Sequence, residues 1–281
     1  MLKSFIKEQL FILILSIIFI VSNLIFSFAN NVTINHTNIV LIISNLYYLG
    51  LGIFLSNIVI YLAYNISPKE KLIPSNKKAI YPFSIIYLML FIIVFIDLKM
   101  KLIENTRLVI ILYIFFISLV IISHLYIKIT SYNFNLTIKS LGLTLLLYII
   151  SYSPILLNAN VGGNLIKNLD KILQRPQFFI LELAINFIYP SFFEEYLYRG
   201  LLLSALLGFG AGILKANMIQ AILFGLVHIN QYPDWGLLCF IPTIQQMLIG
   251  FILGKLYLTT KSLTPSIIFH ALWNNIPLLL F

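Results

Sequence analysis

A chain of 281 residues that is 60% hydrophobic and only 10% charged, with a mean hydropathy of +1.01, has too much apolar surface to fold as a water-soluble domain. The formal net charge of +9 calls for no nucleic-acid partner, because basic residues at helix ends meet anionic lipid headgroups. A single cysteine, Cys239, rules out both a disulfide framework and a cysteine metal site.

A membrane-spanning helix needs about 20 mostly apolar residues. Such windows recur along the whole chain, near 9–28, 39–63, 81–97, 108–127, 139–157, 178–207, 211–229, 238–257 and 264–280. The expected fold is all-α, a polytopic transmembrane bundle of eight or nine helices, the short third window with its Pro82 making the difference. The sixth window, roughly 45 Å long at about 1.5 Å per residue, must tilt, kink at Pro190 or begin outside the hydrocarbon, and the last two are expected together.

Loop charge sets the orientation. With the N-terminus inside, the inner segments hold Lys3, Lys7, Lys69, Lys71, Lys77, Lys78, Lys128, Lys139, Lys215, Lys255 and Lys261. The outer ones hold only Lys99, Lys101, Arg107, Lys167, Lys171 and Arg175, so the N-terminus is expected inside and the C-terminus outside. The bias toward Ile, Asn and Lys suggests a bacterial plasma membrane, where the sequons at Asn31, Asn35, Asn65 and Asn135 are chance.

Residues 1–157 read as five apolar helices without a chemical constellation, and residues 158–176 as a polar connection. Polar and charged residues enter the apolar stretches in the second half, which marks residues 158–281 as the part where function is expected. Other polar residues suit plainer roles. Asn57, Asn217, Gln220, Gln245 and Gln246 are expected to bond between helices, Tyr232 and Trp235 to anchor at the interface, and Glu182, His36 and His124 to lie at span ends or loops.

The strongest local signal is Glu194-Glu195-Tyr196-Leu197-Tyr198-Arg199 inside the sixth window. An ionised residue at a helix centre costs about 2.5–3.5 kcal/mol, so three unpaired would cost roughly 7–10. Glu195 and Arg199 are spaced i, i+4 and can pair. Glu194, about 100° around the helix, is left over by that salt bridge. Phe224-xxx-His228 closes the seventh window, and His270-xxx-Asn274 places His and Asn on one face of the last. Glu194 lies 13 residues before Leu207, His228 lies 13 after Lys215, and Asn274 lies 13 after Lys261. At about 1.5 Å per residue each is roughly 20 Å from the same membrane face.

A carboxylate and an imidazole holding water in a dry pocket can deprotonate it. A second His with an Asn can stabilise an oxyanion. The same groups, Glu194, His228 and His270, could instead hold a divalent metal such as zinc that activates the water. No HExxH, no GxSxG and no intramembrane aspartate pair is present.

With EExxxR, FxxxH and HxxxN complete and in order, residues 178–281 resemble the CPBP family of intramembrane proteases, which includes the type II CAAX prenyl endopeptidase and bacterial bacteriocin-processing or Abi proteins. The resemblance implies endopeptidase activity on a membrane-associated peptide or protein. Glu194 and His228 would be the water-activating pair, His270 and Asn274 the oxyanion stabilisers, and Glu195, Arg199 and Phe224 their supports. Members are described both as metalloproteases and as metal-free glutamate proteases. Two other classes compete: a non-catalytic scaffold or bacteriocin-immunity protein using the same cavity, and a small transporter with Glu194 as proton carrier. A transporter is disfavoured by the absence of internal repeats.

Overall fold

The apolar windows fold as helices because a backbone surrounded by apolar side chains must satisfy its own polar groups. The computed structural model describes residues 2–29, 50–63, 73–100, 106–127, 133–156, 174, 176–229 and 240–275, and side chains within parts of the first five helices and at the start of the helix from 240 are not described. Among the described residues there is no strand. The helices are α1 (Leu2–Ala29), α2 (residues 50–62), α3 (Ile80–Met100), α4 (Thr106–Ile127) and α5 (Ile138–Leu156). After them come α6 (Pro176–Asn186), α7 (residues 190–208), α8 (Ile213–Leu226), α9 (Phe240–Thr260) and α10 (Leu263–Asn274). The fold is all-α.

Proline decides how two windows are built: it leaves the third helix intact, and it kinks the sixth window at Pro190 as expected. Pro82 does not shorten the third helix, because it stands in the first turn of the 21-residue α3, where a missing N–H has no intrahelical partner to lose. The sixth window is two helices. Tyr189 is extended, at φ −144 and ψ 129, as expected of a residue crowded by the Pro190 ring that follows it. Chain direction therefore changes between α6 and α7, just ahead of the glutamates.

The centre of the bundle is the antiparallel pair α8 and α9, which approach closely at glycines. A Cβ on Gly225 would lie 2.6 Å from the Thr243 carbonyl oxygen, and one on Gly250 would lie 2.9 Å from the Phe224 ring. One on Gly254 would run into the amides of Asn217 and Gln220. Those amides hold the two helices together: Asn217 donates to the Phe251 carbonyl at 3.1 Å and Gln220 to the Gly250 carbonyl at 2.9 Å. Gly254→Ala is accordingly expected to destabilise the protein by about 1–3 kcal/mol through overpacking, read as a lower melting temperature in micelles.

One apolar core joins α1, α2 and α5 to α9 and α10 through Ile12, Ile53, Leu147, Phe251 and Phe269. A second joins α3 to α7 and α8 through Phe83, Ile86, Leu197, Leu201 and Phe224. Lys255, counted above with the inner segments, lies instead within α9, where it pairs with Glu8 of α1 and Asn57 of α2. Such a charge is tolerated in an apolar setting because it is paired.

Basic residues gather at one end. The Asn76 amide donates to the Ser204 carbonyl at 3.1 Å, which puts Lys77 and Lys78 beside the end of α7. The Leu263 amide donates to the Asn133 carbonyl at 2.9 Å, which puts the start of α5, with Lys139, beside Lys261 and the start of α10. Because α8 and α9 are antiparallel, the start of α8 at Lys215 shares this end.

Many large apolar side chains remain exposed, among them Leu10, Leu13 and Ile17 on α1, and Ile85, Leu88 and Phe91 on α3. The short α6 buries none of its residues. Over the residues whose side chains are described, no helix is long and apolar enough to cross a membrane.

Candidate active site

Three helix ends converge to build the site. The break at Tyr189 starts α7 so that Glu194 and Glu195 fall in its first turns. Helix α8 ends at Leu226, and His228 follows in a turn closed by its own amide on the Gly225 carbonyl at 2.9 Å. His270 and Asn274 occupy the last turn of α10, which Asn275 caps.

Glu194 Oε2 lies 3.9 Å from His228 Nε2 and 3.7 Å from His270 Nε2. Both separations are long for a direct hydrogen bond and short enough for one water molecule to touch all three groups. This oxygen is buried and has no hydrogen-bond partner. Leaving a buried carboxylate oxygen unsatisfied is costly, and a cost that packing does not recover is characteristic of functional positions.

Each imidazole is oriented from its other nitrogen. His228 Nδ1 lies 2.7 Å from the Phe224 carbonyl. A carbonyl only accepts, so Nδ1 carries the hydrogen and the neutral ring presents a bare Nε2 toward Glu194. His270 Nδ1 donates to Glu195 Oε1 at 2.9 Å, so its Nε2 also points at Glu194. Glu195 and Arg199, both fully buried, form an ion pair at 2.9 Å, and Arg199 donates onward to the Gly250 carbonyl at 2.8 Å. The Arg199 guanidinium stands 4.7 Å over the Phe224 ring. That ring in turn lies 4.9 Å from the His228 ring and 5.6 Å from the His270 ring.

The structure thus brings Glu194, His228 and His270 together, with Glu195, Arg199 and Phe224 as their immediate supports. Asn274 follows His270 by one turn, its Nδ2 buried and without a hydrogen-bond partner. As for a metal, Glu194, His228 and His270 offer the right donor atoms. Among the described residues, however, no group of three His, Cys, Asp or Glu is spaced to hold an ion. The chemistry below is derived from what the side chains themselves can do.

Residues 176–276 match the family model for the type II CAAX prenyl endopeptidase, Rce1-like. This segment is similar to Rce1-like CAAX protease domains. The match contains every residue of the constellation, from the break before Glu194 to Asn274, and it implies a protease acting on a peptide or protein. No curated protein and no solved structure matches the chain.

Several features of the Rce1-like segment were not anticipated. Glu195 serves His270 as well as Arg199, a contact 75 residues apart in the chain that helical spacing could not reveal. Asn186, at the end of α6, donates to Asn275 Oδ1 at 3.2 Å and so ties the break in the chain to the end of α10. The Ser191 hydroxyl is buried without a partner one turn before the glutamates. A serine beside Pro190 at i−3 from Glu194 was the available signal. Asn217 and Gln220 bond between helices as expected, whereas Tyr232, Trp235, His36 and Cys239 lie outside the described residues.

Proposed function

We propose that this chain is a membrane-embedded endopeptidase in which Glu194 and His228 activate a water molecule. The observation that carries the reading is Glu194 Oε2, buried, unpartnered and held between two imidazole nitrogens. In the reaction, the Glu194 carboxylate takes a proton from water while the bare Nε2 of His228 holds the water's other hydrogen. The oxygen so activated bonds to the scissile carbonyl carbon. Asn274 Nδ2 donates to the oxyanion that forms, and His270 in its imidazolium form, with Glu195 on Nδ1, donates from Nε2. Collapse breaks the C–N bond, and the leaving amine takes the proton from Glu194. The products are one acid and one amine for each water consumed.

The bilayer is the proposed setting. Exposed Leu, Ile and Phe on α1, α3, α5 and α6 are the kind of surface lipid covers. The basic end, with Lys77, Lys78, Lys139, Lys215 and Lys261, is read as the cytoplasmic face of a multi-pass bacterial plasma-membrane protein. Residues 158–281 then form the catalytic part, and residues 1–157 pack helices around it. The substrate class is a membrane-associated peptide or protein, such as a leader or signalling peptide, and the matched family's name makes a prenylated C-terminal peptide the first synthetic probe. The test is a comparison of membrane and secreted peptides from cells carrying wild-type or Glu194→Ala protein at matched expression. Defined peptide termini should vanish in the variant. Identical peptides, with a deletion phenotype still rescued by the variant, would overturn the enzyme in favour of a scaffold.

A further inference from the structure

Outside the active site, an open groove of about 640 Å³ lies between the N-terminal part of α1 and the start of α8. Its lining includes Lys7 from α1, and Lys215, Met218, Ile219 and Ile222 from α8. The four α8 positions follow i, i+3, i+4 and i+7, so they form one stripe along the helix. Lys215 heads the stripe at the basic end of the bundle, and the apolar side chains continue from it for about 10 Å at about 1.5 Å per residue. Both lysines are exposed. The acidic neighbour of Lys7, Glu8, is engaged by Lys255 on α9 and does not neutralise the groove.

We propose that this groove binds an anionic phospholipid of the bilayer. Its phosphate diester lies between Lys7 and Lys215, and its glycerol and upper acyl chain lie along Met218, Ile219 and Ile222. Charge complementarity selects the occupant. Two ammonium groups favour a headgroup of net negative charge, whereas a zwitterionic headgroup brings a cation of its own to the same place. The apolar stripe leading away from the lysines suits a ligand with a chain attached and offers nothing to a free anion. The inference rests on the bilayer reading above and is independent of the protease chemistry.

The test uses the full-length protein in maltoside micelles, with phosphatidylglycerol, phosphatidylcholine or inorganic phosphate added and the melting temperature as readout. Phosphatidylglycerol is expected to raise the melting temperature saturably, and the other two are not. Lys7→Glu with Lys215→Glu should abolish the rise. Lys77→Glu with Lys78→Glu, the same charge change at the same end but outside the groove, should keep it. If the reversed pair does not fold, Lys7→Gln with Lys215→Gln gives the same reading. The proposal is overturned if the rise survives loss of both groove lysines, if it disappears equally in the Lys77 and Lys78 pair, or if phosphatidylcholine or phosphate alone reproduces it. Because none of these readouts needs cleavage, an inactive protein would leave the lipid result intact. Recovery of the protein from the aqueous phase without detergent would instead sink the bilayer reading itself.

Discussion

Glu194→Gln is expected to slow cleavage by about 10²–10⁴-fold, the span that a positioned general base contributes, without lowering the melting temperature. Gln keeps the shape and the hydrogen-bonding oxygen but cannot take a proton from water. Stability should hold or rise, because the wild-type residue places a carboxylate oxygen in a buried position with no hydrogen-bond partner, and removing that charge removes its desolvation cost. Activity and stability thus move independently, which is the signature of a residue kept for function. The measurement is a single-turnover cleavage rate alongside a melting curve for the same preparation. If the melting temperature falls in step with activity, Glu194 is a structural residue and the assignment of the base fails.

How much of this was legible beforehand follows from the range of each interaction. The i, i+4 relation of Glu195 and Arg199 is set by one helix, so the pair could be read from spacing alone, and so could the surplus of Glu194. The convergence of Glu194, His228 and His270 was approachable because each helix begins at a recognisable loop and rise per residue is constant. The break at Tyr189 was half visible. Pro190 marks where a helix must change, but spacing does not say that the chain becomes extended one residue earlier. Contacts between distant segments were not legible at all. Nothing in the local pattern says that Glu195 also holds His270, that Arg199 reaches the Gly250 carbonyl, or that Lys255 pairs with Glu8 in the bundle instead of lying at a loop. Those depend on which helices are neighbours, and the apolar pattern of α1 to α5 is too uniform to specify that.

Arg199→Met should be the most destabilising single change in the site, by about 3–5 kcal/mol, the usual cost of removing one partner of a buried ion pair. Met fills much of the same volume over the Phe224 ring, so the effect isolates charge from packing. The Gly250 carbonyl keeps one donor, Gln220, and loses little. Glu195 is the casualty: its Oε2 already has no hydrogen-bond partner, and its Oε1 would retain only His270. The double variant Glu195→Gln with Arg199→Met removes both charges and should recover much of the lost stability, since an unpaired buried charge costs more than a neutral pair. Activity should not recover with it. With Gln in place of the carboxylate, the imidazolium form of His270 loses the anion on its Nδ1, and the donation from Nε2 to the oxyanion weakens even in a well-folded protein. Unfolding in mixed micelles and cleavage rates for the wild type, both single variants and the double variant close the cycle. A double variant no more stable than Arg199→Met would show that the stranded Glu195 carboxylate is not the source of the lost stability. A double variant with wild-type activity would remove Glu195 from the orientation of His270.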